Sequence, residues 1–167
     1  LGNQFLANIR ECDAIAHVLR CFDNEDITHV AGRVDPLDDA KIVETELMLA
    51  DLENVNKRLK NLERKLKSFD KEAQRQADLL IVAKEYLENG VPVREIHLDF
   101  EQSKTFQLFQ LLTSKPTLYV CNVDENSAAL GNAYSALIHK MAQRSNNSFV
   151  IISAAIEEEI SQLSESS

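Results

Sequence analysis

Eight residues, Thr45, Met48, Leu52, Val55, Leu59, Leu62, Leu66 and Phe69, fall at alternating spacings of 3 and 4. A helix with 3.6 residues per turn gathers such positions onto one stripe. A seam kept for more than three heptads calls for a second helix to cover it. Glu53, Lys57, Lys60, Glu63 and Lys67 occupy the other faces, as solvated positions do. The seam stops at Ser68-Phe69-Asp70, and a second helical pattern runs from about Lys71 to Glu88 with Ala73, Ala77, Leu80, Ala83 and Leu87 on its inner stripe. Asn89-Gly90 ends that helix and Pro92 forbids its resumption. Two helices joined by a short turn form an antiparallel coiled-coil hairpin.

The flanking segments obey a different grammar. FLANIREC has the spacing of a short amphipathic helix, and AIAHVLRCF (14–22) is a compact apolar run that suits a strand covered on both faces of a parallel sheet. DNED then reads as a turn. ITHVAGRVDPLDD is irregular, and Asp38 or Asp39 can cap the helix that follows it. Beyond the hairpin, Asp99 and Gln102 have capping-box spacing and start a helix that runs to about Thr113. TLYVC (117–121) and FVIIS (149–153) read as buried strands, with a helix inside Ala128–Arg144 between them and another at AIEEEISQL (155–163). The expected fold class is α/β, interrupted by a helical hairpin.

Charge and cysteine content restrict function. Lys and Arg number 18 against 27 Asp and Glu, a formal charge of −9, which argues against broad nucleic-acid binding but leaves room for a local basic patch. Cys12, Cys21 and Cys121 are widely spaced and form no CxxC or Cys/His cluster. Neither a disulfide framework nor a zinc site is indicated, and reduced thiols in the cytoplasm are expected. No apolar run approaches the ~18 residues of a membrane span. The opening LGNQFLANIR has no methionine and no signal layout, and reads as the interior of a longer chain.

Two loops then stand out. Asn122-Val123-Asp124-Glu125 follows one strand and Ser153-Ala154-Ala155 follows the next, where ligands bind in doubly wound folds. Taken by its spacing, Asn122 is either a turn residue closing a strand or the floor of a purine-base pocket, and Ser153 can equally be satisfying nearby backbone. GTP-binding domains carry Asn-Lys-x-Asp and Ser-Ala-Lys at these places. Moreover LGNQFLANIRECDAI, HVLRCFDNEDITHVAGRVDPLDD, TELMLADLE and LLTSKPTLYVCNVDE closely resemble the Obg-like ATPase family, the YchF branch of the translation-factor-related P-loop GTPases. The resemblance spans nearly the whole chain.

The resemblance implies a partial P-loop NTPase domain in residues 1–42 and 114–167, with the coiled-coil insertion at 43–113. It implies binding and hydrolysis of ATP, or GTP, with Mg²⁺, and association with ribosomes, with no membrane partner. The sequence contains no GxxxxGK[ST] loop, so phosphates and Mg²⁺ would be handled outside this chain. Asn122, Val123 and Glu125 would contact the base, with Ser153 and Ala154 secondary. The usual aspartate of this loop pairs with two guanine hydrogens that adenine lacks, and such a polar mismatch is strongly discriminating. Glu125 shifts that carboxylate by one methylene, Val123 offers an apolar wall in place of lysine, and Ala155 replaces a second lysine. These changes favour ATP.

Other features admit less. Residues 57–75 hold eight cations, among them Lys60, Arg64, Lys65, Lys67 and Lys71, against Glu63, Asp70 and Glu72. They form either a solvated coiled-coil face or a contact for ribosomal RNA or another polyanion at the hairpin tip. His17 is expected as a core residue. His29 falls in the irregular stretch and is assigned no chemistry, His97 and His139 have no triad partners, and Glu157, Glu158 and Glu159 suit the first turn of the last helix. The rival to a nucleotide-binding reading is a non-enzymatic coiled-coil interaction module on an α/β scaffold.

Overall fold

The computed structural model describes residues 1–23 and 33–165. In chain order its elements are α1 (Asn3–Arg10), β1 (Ile15–Arg20), α2 (Pro36–Lys67), α3 (Lys71–Glu88), α4 (Phe100–Gln107), β2 (Thr117–Asn122), α5 (Ala133–Arg144), β3 (Ser148–Ile152) and α6 (Ala154–Glu165). His29, Gly32 and the DNED turn beyond Asp23 lie outside the described residues. The chain divides into two compact units, Leu1–Asp13 with Val43–Pro116, and Ala14–Ile42 with Thr117–Ser167.

The second unit is a parallel sheet ordered β1-β2-β3, with Leu19 opposite Cys121 and Val18 level with Val120 and Val150. Strand side chains alternate between faces. Leu19, Tyr119 and Cys121 project onto a core shared with Ala40 of α2 and with Ile138 and Ala142 of α5. The opposite face is open: Val18 is 61% exposed, and Val150 is also exposed. The expected two-sided covering of β1 therefore does not hold, because the helices packed on the sheet within this unit lie against one set of alternating positions. His17 is half-buried, not in the core, with its ring 6.1 Å from that of Tyr119.

Two helix starts in this unit depend on local chemistry. The backbone N–H of Asp38 donates to Asp35 Oδ1 at 3.0 Å, so Asp35 caps α2 with Pro36 as its first residue. Asp38 and Asp39, expected as caps, lie inside the first turn, where carboxylates complement the helix dipole. Asn132 and Ser135 form a reciprocal capping box on α5. Gly131, at φ +78°, feeds that cap, and a Cβ there would stand 2.5 Å from Ser135 Oγ and 2.8 Å from Ile151 Cδ1. Both the left-handed backbone and the close approach require glycine. Gly131→Ala is expected to cost about 2 kcal/mol in urea unfolding.

In the first unit, Val55 of the seam packs with Leu79, Leu80, Ala83 and Leu87 of α3, and with Val93, Phe106, Phe109 and Leu111. Met48, Leu52, Leu59 and Leu62 flank this cluster, so the apolar stripes of α2 and α3 share one core. The turn between them is short. Phe69 N–H donates to the Leu66 carbonyl at 3.1 Å and Asp70 N–H to the Lys65 carbonyl at 3.2 Å, the pair of bonds that closes a Schellman end. Asp70 at once caps α3 by accepting from Ala73 N–H at 2.9 Å. This closure puts Phe69 at φ +58°, a conformation that costs an L-residue roughly 1–2 kcal/mol.

Asp99 and Gln102 form the capping box expected for α4, but the helix ends at Gln107 and does not reach Thr113. Gln110 adopts φ +49°, and the chain turns inward so that Leu111, Leu112 and Thr113 are buried. The carboxylate of Asp51, itself 1% exposed, holds that segment. Its Oδ1 accepts from Leu112 N–H at 2.7 Å, and its Oδ2 from Thr113 N–H at 2.8 Å and from Thr113 Oγ at 2.7 Å.

Candidate nucleotide-base site

Because the strands are parallel, the segments leaving β1, β2 and β3 emerge at one edge of the sheet. Backbone pairing continues past the strand ends: Cys21 N–H donates to the Asn122 carbonyl at 2.8 Å and Val123 N–H to the Ile152 carbonyl at 2.9 Å. The side chain of Asn122 extends this tie, its Oδ1 accepting from Ala154 N–H at 3.0 Å. The segments after β2 and β3 are thus joined by a side chain and not by backbone alone.

These segments border a cleft of about 410 Å³ lined by Phe22, Asp23, Asn122, Val123, Asp124 and Glu125, together with Asn126, Ala154 and Ala155. Glu125 is exposed and opens a single 3-10 turn, Glu125–Ser127, in which Ser127 N–H donates to the Asp124 carbonyl at 3.0 Å. Val123 is 2% exposed and its side chain belongs to the core, so it meets the cleft with little side-chain surface. Ser153 is buried and is not one of the lining residues; its Oγ accepts from Ile156 N–H at 3.5 Å, a long capping bond at the start of α6.

The residues after β1 form the third side of the cleft, and the sequence reading passed over them. Arg20 Nε donates to the Phe22 carbonyl at 3.2 Å, and its guanidinium lies 5.0 Å from the centre of the Phe22 ring, fixing that ring at the rim. Tyr134 Oη donates to Asp23 at 3.0 Å, and this hydrogen bond to a carboxylate pushes the phenol pKa up. Asn132 Nδ2 donates to the Cys21 carbonyl at 2.7 Å, anchoring the β1 exit to the cap of α5. The available signal was positional: Phe22 and Asp23 leave a parallel strand just as Asn122 and Ser153 do.

Lys60, Arg64, Lys65, Lys67 and Lys71 are all exposed, at the end of α2 and the start of α3, in the helical unit. His139 stacks on Phe149 at 4.6 Å and His97 is exposed. Glu157 falls in the first turn of α6, with Glu158 and Glu159 beyond it. Among the described residues no group of three or more His, Cys, Asp or Glu side chains could hold a metal ion, and no helix is long and apolar enough to cross a membrane.

A parallel sheet with helices packed on it and an open cleft beyond the carboxyl ends of its strands defines an α/β protein, in the place where open α/β sheets take ligands. The chain is 43% identical over 163 residues to the ribosome-binding ATPase YchF of Haemophilus influenzae, covering 98% of this chain and 45% of that protein. It belongs to the YchF, or Obg-like, family. The ribosome-binding ATPase YchF of Bacillus subtilis is likewise 43% identical, over 165 residues and with the same coverage. The solved structure of the Schizosaccharomyces pombe YchF GTPase superposes with a TM-score of 0.84 at 32% identity, over 97% of this chain and 45% of that one. No family model matches. The chain spans 45% of the length of these relatives.

Proposed function

We propose that this chain supplies the base-recognition edge and an inserted antiparallel coiled-coil hairpin to a ribosome-associated purine-nucleotide hydrolase of the cytoplasm. In this reading residues 1–42 and 114–167 are parts of a GTPase-like P-loop domain and 43–113 is the insertion. The observation that carries it is the Asn122 Oδ1 bond to Ala154 N–H beside an open cleft. An asparagine that merely finished a bend would bond within its own turn, whereas this one reaches across to the segment after β3 at the border of the cleft. Asn122 and Glu125 would meet the base edge and the Ala154 backbone the far side, with Ser153 supporting the loop from beneath. Phosphates and Mg²⁺ would be held by residues outside this chain, the metal neutralising phosphate charge during hydrolysis.

The same edge favours ATP over GTP. Adenine offers an exocyclic amine where guanine offers a carbonyl, and a displaced Glu125 carboxylate no longer clamps guanine. Competition of the two nucleotides for the full-length protein checks this: a lower Kd for ATP is expected, and a large GTP preference refutes it.

The hairpin tip is the second contact. Its exposed cations would meet ribosomal RNA, so affinity for ribosomes should fall steeply with salt. Replacing Lys65, Lys67 and Lys71 together by Glu should abolish co-sedimentation at salt concentrations where the native protein still pellets. Partner binding that needs the helical unit and no nucleotide would instead favour the non-enzymatic interaction module.

A further inference from the structure

Phe69 is 91% exposed and sits at φ +58°, in the position of a Schellman turn that glycine usually fills. An aromatic ring there gains nothing from burial and carries backbone strain. Core packing does not account for it, and neither does turn chemistry. Strain maintained at an exposed position is a mark of function. Arg64, Lys65, Lys67 and Lys71 surround it in sequence, all exposed, and no ion pair among the described residues neutralises any of them.

We infer that Phe69 is a base-stacking anchor: the tip takes an unpaired RNA base on the Phe69 ring while the four cations engage the flanking phosphates. An apolar pocket on a protein would accommodate the ring but leave the cations unmatched. Duplex RNA would match the cations and offer no exposed base face. Single-stranded RNA satisfies both, since every base presents a π-face and every linkage an anion. The inference rests on the reading of the tip as a polyanion contact, and it names what that contact grips.

This chain contains no tryptophan, so Phe69→Trp gives it a single fluorescent reporter, at the tip. With a mixed-sequence 12-nucleotide single-stranded RNA as probe, Trp emission should be quenched on binding, and the same sequence as a duplex should leave it unmoved. Phe69→Ala should weaken single-strand binding about 10-fold. Phe69→Gly is the decisive variant. It relieves the turn and should raise the Tm by about 2–4 °C while weakening RNA binding as much as Phe69→Ala does. A purely structural Phe69 predicts no loss of binding in the more stable variant.

The joint Lys65, Lys67 and Lys71→Glu variant separates the two levels. If it loses RNA and both Phe69 truncations bind like the native protein, the anchor is overturned and the polyanion contact stands. If it keeps RNA binding, the polyanion contact itself fails. If Phe69→Ala lowers co-sedimentation with purified bacterial ribosomes but not binding of the oligonucleotide, the ring grips protein and the RNA anchor is overturned.

Discussion

Asp51→Ala is expected to lower stability to urea by about 3–5 kcal/mol, enough to unfold a marginal domain. The carboxylate is buried and accepts from Leu112 N–H, Thr113 N–H and Thr113 Oγ. Thr113 Oγ in turn accepts from Val93 N–H at 3.2 Å, so one side chain on α2 organises two separate stretches of the chain. Alanine would leave three buried donors without partners and a void beside them. Removal of water from around the carboxylate raises its pKa, and the three hydrogen bonds and the nearby Arg10 only partly offset this. The sign follows from linkage. With the folded pKa above the unfolded one, the folded state binds more protons, so this group's contribution is full below the unfolded value and is lost as pH rises through the folded value. Asp51→Asn cannot titrate. Its unfolding free energy should lack the decline that the native protein shows just above the usual carboxylate range.

The second large effect should be on binding and leave the fold intact. Asn122→Ala is expected to reduce nucleotide affinity of the full-length protein about 10–100-fold, by equilibrium dialysis or fluorescent-analogue titration, while changing stability by about 1 kcal/mol or less. Ala154 is exposed, so water can replace the lost acceptor on its N–H. What water cannot replace is the side-chain tie from the exit of β2 to that of β3, which at the cleft adds to the backbone bond from Val123 N–H to the Ile152 carbonyl. Equal losses of stability and affinity would mean that Asn122 serves only the turn.

Much of the fold was legible where the signal is local. The stripe of α3, the box at Asp99 and Gln102, and the strand ending at Asn122 are each written in a few adjacent residues. The errors come from distant partners. FQLFQLLT has the composition of a continuing helix, but Asp51, about sixty positions earlier in sequence, takes the N–H groups of Leu112 and Thr113 and ends it. The helix expected inside Ala128–Arg144 is α5, its start set at Ala133 by Gly131 and the Asn132 cap. AIAHVLRCF looks two-faced by composition, and only the placement of helices decides which face is covered. That Asn122 lies at the cleft was legible because its loop follows a strand. Phe22 and Asp23 were not, since they reach the cleft only by lying beside that loop across a sheet.

The membership of Leu1–Asp13 in the same unit as Val43–Pro116 has a temporal consequence. During synthesis α1 is made before the rest of its unit, and Lys115, whose Nζ bonds the Arg10 and Cys12 carbonyls, is made roughly a hundred residues later. At ordinary elongation rates that is a wait of roughly 5–20 s. A nascent chain must therefore hold α1 in reserve until the far end of the helical unit has left the exit tunnel.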